Sequence, residues 1–425
     1  VIATSSTYTL GGRTPARVVE PSNAAELAQA LAQAAAAGES VVAFGGGTLQ
    51  GAANPPARYD VAVRTVRLND VHAYDPRDLT AGVGAGITMS ALARVLAEHR
   101  QVLPFDVPRA RDATLGGTLA AGWAGPRRAT YGRPRDLVIG ATVALADGTL
   151  ATSGGMVVKN VTGYDMAKLY VGSHGTLGVL ARINVKVLPA PAAQCFATSA
   201  FDGDVREKLI TNVTALSVPP SALLLCDTFA AGGDPDARPV SPAIVALFEG
   251  SEATVGRAIR EYRSALGAAG VAETRLDDGA AAQSAFAAIV DRYVAAPKTS
   301  FTLLSRGLAS DAPDRAGRAR EALIRCSTDA GRAARGWETI TDLLTGDVVA
   351  RFVCSGGAAV DASIAASGSV RDALGNGDLI ATSDALAGKI DAWGAVPSTI
   401  ATMRELKASF DPSGALAPGR YVGGI

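Results

Sequence analysis

Histidine is nearly missing from this chain of 425 residues: His72, His99 and His174 are all it has, and none lies beyond position 174. Imidazole is the commonest metal ligand in proteins, so the second half has no means of building a histidine-rich catalytic metal centre. Cysteine is scarce as well. Cys195, Cys226, Cys326 and Cys354 lie far apart with no Cys-x-x-Cys pair, a spacing that argues against an iron–sulfur cluster or structural zinc and for buried thiols of a reduced cytoplasmic protein. An excess of charge of one sign is also absent. Lys+Arg and Asp+Glu both number 40, so no net field favours nucleic acid or an anionic membrane. No apolar run reaches the ~18 residues that span a bilayer, since the best stretch, residues 137–146, is broken by Gly140 and Thr142. No basic-then-apolar signal segment is found, and Val1 in place of Met points to a true N-terminus further upstream.

What the chain does have is glycine in blocks. Apolar residues at 48% and charged residues at 19% describe a globular chain with a large buried fraction and length for two or three domains. Within its first half, GGGTLQG (45–51) follows the apolar run Val41–Phe44, and Thr114-Leu115-Gly116-Gly117 precedes GWAGPRRATYGRPR (122–135). GSHGTLG (172–178) then leads into a β-rich run. Without a β-carbon, glycine lets backbone N–H groups approach a ligand and point at its anionic oxygens. Gly116-Gly117 alone fits an ordinary tight turn equally well. Three such loops beside strands point instead to one long cofactor bearing phosphates.

Local signals set the frame. Arg17–Val19 reads as a strand, followed by a helix capped by Asn23 with Glu26 three residues on and closed by Gly38; Val41–Phe44 is the next strand. Thr80–Ala85 is a strand, Thr88 caps the helix after it, and Gln101–Pro104 is a short strand. Leu137–Leu145 is a buried strand that turns back at Asp147-Gly148. A short helix over Asp165–Val171 and a strand over Gly178–Leu188 complete this part. The proline-alanine segment 189–193 marks a boundary. Beyond it, strands at Ala222–Cys226, Ala243–Phe248, Phe301–Leu304 and Val349–Val353 and helices at Glu252–Ala269 and Asp314–Ala330 predict an α+β domain with an antiparallel sheet. Ser398–Ser409 is a helix, and Gly232–Pro235 and Asn376–Asp378 are exposed turns. The expected division is residues 1–190, 191–397 and a segment 398–425 that returns to the first domain.

The three blocks, together with DPSGALAPGRYVGGI (411–425), resemble the FAD-binding domain of the vanillyl-alcohol oxidase and p-cresol methylhydroxylase superfamily over residues 17–190 and the C-terminus. Within it, 122–140 and 156–180 are most similar to the smaller FAD-binding subunit of bacterial glycolate dehydrogenase. Residues 195–400 carry no such resemblance. The resemblance implies an α+β fold, with a two-part FAD-binding domain and an antiparallel cap, and a cofactor site drawn from residues spread over all three loops. In the first loop these are Gly45, Gly46, Gly47, Thr48, Leu49, Gln50 and Gly51. In the second they are Pro108, Thr114, Gly116, Gly117, Ala120, Gly122, Trp123, Ala124, Gly125, Arg127 and Arg133, and in the third Gly175, Gly178 and Val179. Arg127, Arg128, Arg133 and Arg135 add charge to a cofactor or form a solvated face, the commoner case. Relatives often attach flavin to a histidine at the first loop; Gly47-Thr48 stands there, and the first domain lacks cysteine, so the expectation is non-covalent FAD. Ala417 replaces the usual Asn of the closing motif, and His174 replaces an acidic residue and reads first as a polar loop residue.

The resemblance also implies oxidation of a CH–OH group, of the 2-hydroxy acid type. Hydride transfer needs a base, and Tyr262, Tyr293 and Asp227 are candidates that no spacing separates. Arg306 and Arg351 flank apolar strands, where they anchor a substrate carboxylate or, more commonly, form structural ion pairs. Relatives that oxidise 2-hydroxy acids with a metal carry histidines in the cap, which this chain cannot supply. It is therefore expected to work beside a larger FAD subunit that holds that site and an iron–sulfur subunit that takes the electrons, on a small-molecule hydroxy acid, in the cytoplasm or peripheral to the inner membrane through its partners. A self-sufficient FAD oxidase or dehydrogenase and a non-catalytic flavoprotein scaffold are the other two readings.

Overall fold

The structure, a computed structural model, describes residues 5–157, 164–229, 240–294, 299–331 and 334–425. The chain divides into two compact units. The first comprises Val1–Ala124, Gly132–Ala190 and Asp391–Ile425, the second Gly125–Tyr131 and Pro191–Ile390.

Among the described residues, unit 1 holds ten strands: β1 (Arg17–Val19), β2 (Val41–Phe44), β3 (Val61–Arg64), β4 (Val71–Asp75), β5 (Thr80–Gly84), β6 (Gln101–Val102), β7 (Val138–Ala144), β8 (Leu150–Gly154), β9 (Val179–Lys186) and β10 (Leu188–Pro189). β1 and β2 both run parallel to β3, which lies between them. Parallel neighbours require a crossover, and the helix Ala24–Ala36 supplies it. Asn23 caps that helix by accepting the N–H of Glu26 at 2.9 Å, a contact worth about 1 kcal/mol. Glu26 reaches back to the N–H of Ser22 at 2.8 Å, and Gly38 at φ +69° follows the helix. The helix buries Leu27 and Leu31 against Val41, Val61 and Val63.

The second sheet is antiparallel in the order β4-β5-β9-β7-β8. The Asp147-Gly148 turn joins β7 to β8, with Gly148 at φ +85°. Val83, Ile183, Val185 and Val143 face the helices Met89–Ala97 and Leu115–Ala120, where Leu92, Leu96, Leu115 and Leu119 are buried. Thr114-Leu115-Gly116-Gly117, expected as a turn, is here the cap and first turn of the second of these helices. The Thr114 hydroxyl accepts the N–H of Gly117 at 3.2 Å, a capping geometry that a glycine pair conceals from any count of helix formers.

Among the described residues, unit 2 holds one antiparallel sheet of eight strands: β11 (Ala193–Ala200), β12 (Ala222–Phe229), β13 (Val240–Gly250), β14 (Arg275–Asp278), β15 (Thr299–Ser305), β16 (Ala334–Asp342), β17 (Val348–Cys354) and β18 (Asp378–Thr382). Their order is β14-β11-β13-β12-β16-β17-β15-β18. The helix Glu252–Ala269 has the expected bounds; Ser251 caps it and Gly270 ends it at φ +91°. It packs Tyr262 and Leu266 on Phe248 and Leu223. β11, β14, β16, β18 and the helices Arg206–Thr214, Gly279–Arg292 and Ala359–Leu374 are absent from the sequence-based expectation. β16 reads ARGWETITD, in which threonine and charge occupy positions that the sheet buries. The Gly232–Pro235 turn lies outside the described residues.

Candidate functional site

Loop geometry in unit 1 begins with Gly45–Gly51, directly after β2. An added β-carbon at Gly46 would lie 1.7 Å from the Asp112 carbonyl oxygen. The two glycine loops touch through their backbones, so any side chain there is excluded. Gly47 holds φ +71°, which turns the chain so that the N–H groups of Gly46, Gly47, Thr48 and Leu49 find no acceptor among the described residues. Consecutive unpaired amides of this kind form an anion-binding concavity. The amides of Gly116 and Gly117, expected to face a ligand, are instead engaged. Gly116 donates to the Ala85 carbonyl at 2.7 Å and Gly117 to the Thr114 hydroxyl, because this segment starts a helix.

These loops bound a cleft. The structure brings together Gly45, Gly46, Gly47, Thr48, Leu49, Gln50, Thr114, Gly116, Gly117, Ala120, Gly175, Gly178 and Val179 along its wall, with Ala43, Thr65, Ala121, His174, Leu180 and Arg420. Gly51, Pro108, Gly122, Trp123, Ala124, Gly125, Arg127 and Arg133 are not part of this lining. Trp123 is buried and donates its indole N–H to the Asp106 carbonyl at 2.6 Å. Arg133 and Arg135 are exposed.

Arg127 and Arg128 belong to unit 2, where ion pairs engage both guanidinium groups. Arg127 meets Glu249 at 3.0 Å and lies over the rings of Tyr131 and Phe286. Arg128 holds Asp347 through two contacts, one of them 2.8 Å, and also donates to the Thr345 carbonyl. The Glu249 side chain is fully buried and also accepts from Tyr131 at 3.1 Å and Gln194 at 2.6 Å. Arg127 and Arg128 are therefore neither a solvated face nor part of the cleft wall, whereas Arg133 and Arg135 are solvated.

The C-terminal segment supplies what sequence reasoning missed. Asp411 accepts the N–H groups of Ala415 and Leu416, the Ser413 hydroxyl and the Lys407 ammonium, which winds 411–416 into a fixed loop. Leu416 then pairs with Val41 as a parallel extension of the first sheet. Lys407 also donates to the Thr176 carbonyl at 2.8 Å, tying the third loop down. Ala417 holds φ +46°, a left-handed backbone that Asn adopts more readily than Ala. Arg420 reaches the first loop and donates to the main-chain oxygen of Gln50 at 3.0 Å and its Oε1 at 2.8 Å. His174, read as a polar loop residue, lines the cleft and meets the rings of Trp393 and Tyr421. Burial and the charge of Arg420 push its imidazole down to about 3, so it stays neutral at physiological pH.

In unit 2 the two candidate carboxylate anchors have different settings. Arg306 is half exposed and paired with Asp378 at 2.8 Å. Arg351 is buried, and the register of β15, β16 and β17 sets it beside Thr302 and Glu338. It donates to Thr302 at 3.2 Å and meets Glu338 at 2.9 Å, while its second terminal nitrogen, Nη2, is buried without a partner. Arg292 approaches the other oxygen of Glu338, so two guanidinium groups share one carboxylate. Of the candidate bases, Tyr262 lies sealed in the helix-covered core with its hydroxyl unpartnered, and burial raises its pKa further. Asp227 is held by Arg206 through both oxygens. Tyr293 is buried.

Residues 15–154 match the FAD binding domain family. Glycolate oxidase subunit GlcE of Escherichia coli (strain K12) is 43% identical over 121 residues, 28% of this chain and 35% of that protein. Glycolate oxidase subunit GlcD of Bacillus subtilis (strain 168) is 28% identical over 214 residues, 50% of this chain and 46% of that one. A D-lactate dehydrogenase of Archaeoglobus fulgidus is 33% identical over 172 residues, 40% and 38% respectively. The matched stretches thus span less than half of these relatives. Among solved structures, alkyldihydroxyacetonephosphate synthase superposes with a TM-score of 0.71 at 17% identity, over 96% of this chain and 77% of that one. The 4-ethylphenol oxidase of Gulosibacter chungangensis gives 0.67 at 16%, over 95% and 88%. The cleft fits the cofactor that the family match implies: among the described residues its wall has backbone amides for a pyrophosphate, no carboxylate and one buried arginine. Residues 15–154 accordingly resemble an FAD binding domain, FAD is the cofactor, and the chain has the α+β fold of these two solved structures.

Proposed function

We propose that this chain is an FAD-dependent oxidoreductase acting on the CH–OH group of a 2-hydroxy acid, as the smaller FAD-bearing subunit of a glycolate-dehydrogenase-type complex. The observation that carries the reading is the cleft of unit 1, with four unpaired amides in the first loop and, among the described residues, a wall free of carboxylates. FAD, when bound, supplies the acceptor for a hydride from the substrate carbon. The chain's own residues hold it: the first loop by its amides, Thr114 and the helix behind it by shape, Gly175, Gly178 and Val179 along the far wall. The likeness to the two glycolate oxidase subunits supports the division of labour, and so does the lack of histidine in the second half. A larger flavoprotein subunit and an iron–sulfur subunit are the partners this reading requires. The isolated protein is expected to bind FAD yet turn over glycolate and lactate slowly, with full activity restored by the partner subunits. Full-rate turnover by the isolated chain would overturn the subunit assignment.

FAD is held without a covalent bond, since the first loop offers neither histidine nor cysteine. Acid precipitation of holoprotein is expected to leave all yellow colour in the supernatant; colour in the washed pellet contradicts this.

The second reading, a self-sufficient hydroxy-acid dehydrogenase, is favoured by one specific observation, the unpartnered Nη2 of buried Arg351. A donor left in that state costs roughly 1–3 kcal/mol, and a substrate carboxylate is the group that satisfies it. In this reading Arg351→Met raises the hydroxy-acid concentration for half-reduction of the flavin by ~10²-fold under anaerobic titration. Unchanged titration curves would assign Arg351 to structure alone.

A further inference from the structure

Arg420 is 3% exposed, and among the described residues no carboxylate pairs with it. A buried guanidinium in that state is costly, since charges enter a protein interior with a partner or at a penalty of several kcal/mol. Its two hydrogen bonds, both from Nη2, go to the neutral oxygens of Gln50. Gln50 is itself fixed, because its amide nitrogen donates to the Ala43 carbonyl at 3.0 Å, so Oε1 is aimed at Arg420 and orients it. The donors on Nε and Nη1 have no partner among the described residues, and the side chain forms part of the cleft wall. His174, the other titratable group in that wall, is neutral. Among the described residues, the lining thus holds one full positive charge with no carboxylate to balance it, beside four amides that also attract an anion.

We infer that Arg420 is the counter-charge for the pyrophosphate of FAD, and that it selects a dinucleotide over a flavin without phosphate. This rests on FAD being the ligand of the cleft. Charge-assisted hydrogen bonds to a phosphate oxygen are about twice as strong as neutral ones, while the backbone amides alone supply only partial charges. Before binding, the same charge is a liability, so it weakens the empty protein and strengthens the loaded one.

The test compares full-length wild type with R420Q, stripped of flavin, for affinity toward FAD, ADP and riboflavin, and by thermal melting with and without FAD. R420Q is expected to bind FAD and ADP ~10–100-fold more weakly with riboflavin unchanged. Its empty form should melt no lower than wild type, while the rise in Tm on adding FAD shrinks. Equal FAD affinity in the two proteins overturns the inference. So does a parallel loss for riboflavin, or a lower Tm of the empty variant, since each marks a structural role. If R420Q does not fold, R420K takes its place: FAD within ~10-fold of wild type and riboflavin unaffected supports a charge role, and an equal loss for both flavins refutes it. Wild type that binds no FAD removes the cofactor reading itself, a result distinct from all of these.

Discussion

Protein carrying Gly46→Val is expected to purify colourless, with FAD affinity reduced by at least ~10³-fold. Even the first carbon of the new side chain would sit 1.7 Å from the Asp112 carbonyl oxygen, and that atom is main chain, so no rotamer change relieves the clash. The loop must lift away from residues 112–114, which disperses the unpaired amides of Gly46, Gly47, Thr48 and Leu49. Their value lies in convergence: a set of N–H dipoles aimed at one point holds an anion, and the same groups pointing apart do not. The strands below are untouched, because Val41, Val61 and Val63 remain packed on Leu27 and Leu31. The variant should therefore keep its far-ultraviolet circular dichroism while losing flavin absorbance. A yellow G46V protein with wild-type affinity would refute the assignment of this loop to the cofactor.

Glu249→Ala is expected to destabilise unit 2 by about 3–5 kcal/mol, the cost of breaking a buried ion pair by removing one partner. The carboxylate is fully buried and accepts from Arg127, Tyr131 and Gln194. Its loss removes a fully buried carboxylate from beside Arg127, whose side chain is 13% exposed. For a unit of this size the penalty corresponds to a fall in Tm of roughly 6–20 °C. Glu249→Gln keeps the hydrogen bonds and should cost less. Calorimetry of the two variants decides the matter, and a drop of under 2 °C in E249A would show that the Arg127 contact contributes little.

Much of unit 1 was legible because its signals are local. Asn23 with Glu26, Thr88 ahead of an amphipathic run and Asp147-Gly148 between alternating strands each state a backbone conformation within four residues, and the structure has all three. The glycine loops were equally plain, since a backbone that must approach another backbone admits no other residue. Unit 2 was harder. β16 buries Glu338, Thr339, Thr341 and Asp342, residues that pattern reading assigns to solvent. They are tolerated there because Arg351, Arg292 and turn amides satisfy several of them.

The sequence by itself determined which backbones could come close and where helices and strands begin, because glycine, capping side chains and apolar alternation act over a few residues. Tertiary structure alone decided which charges face which. Arg127, Arg128, Arg351 and Arg420 are alike as letters, yet two are spent on Glu249 and Asp347, one keeps an unpartnered nitrogen beside Glu338, and one stands uncompensated in the cleft. A guanidinium's role follows from what desolvates it and what lies within about 4 Å, and for Arg127, Arg128 and Arg420 the hydrogen-bond partners Glu249, Asp347 and Gln50 come from strands and loops more than a hundred residues away.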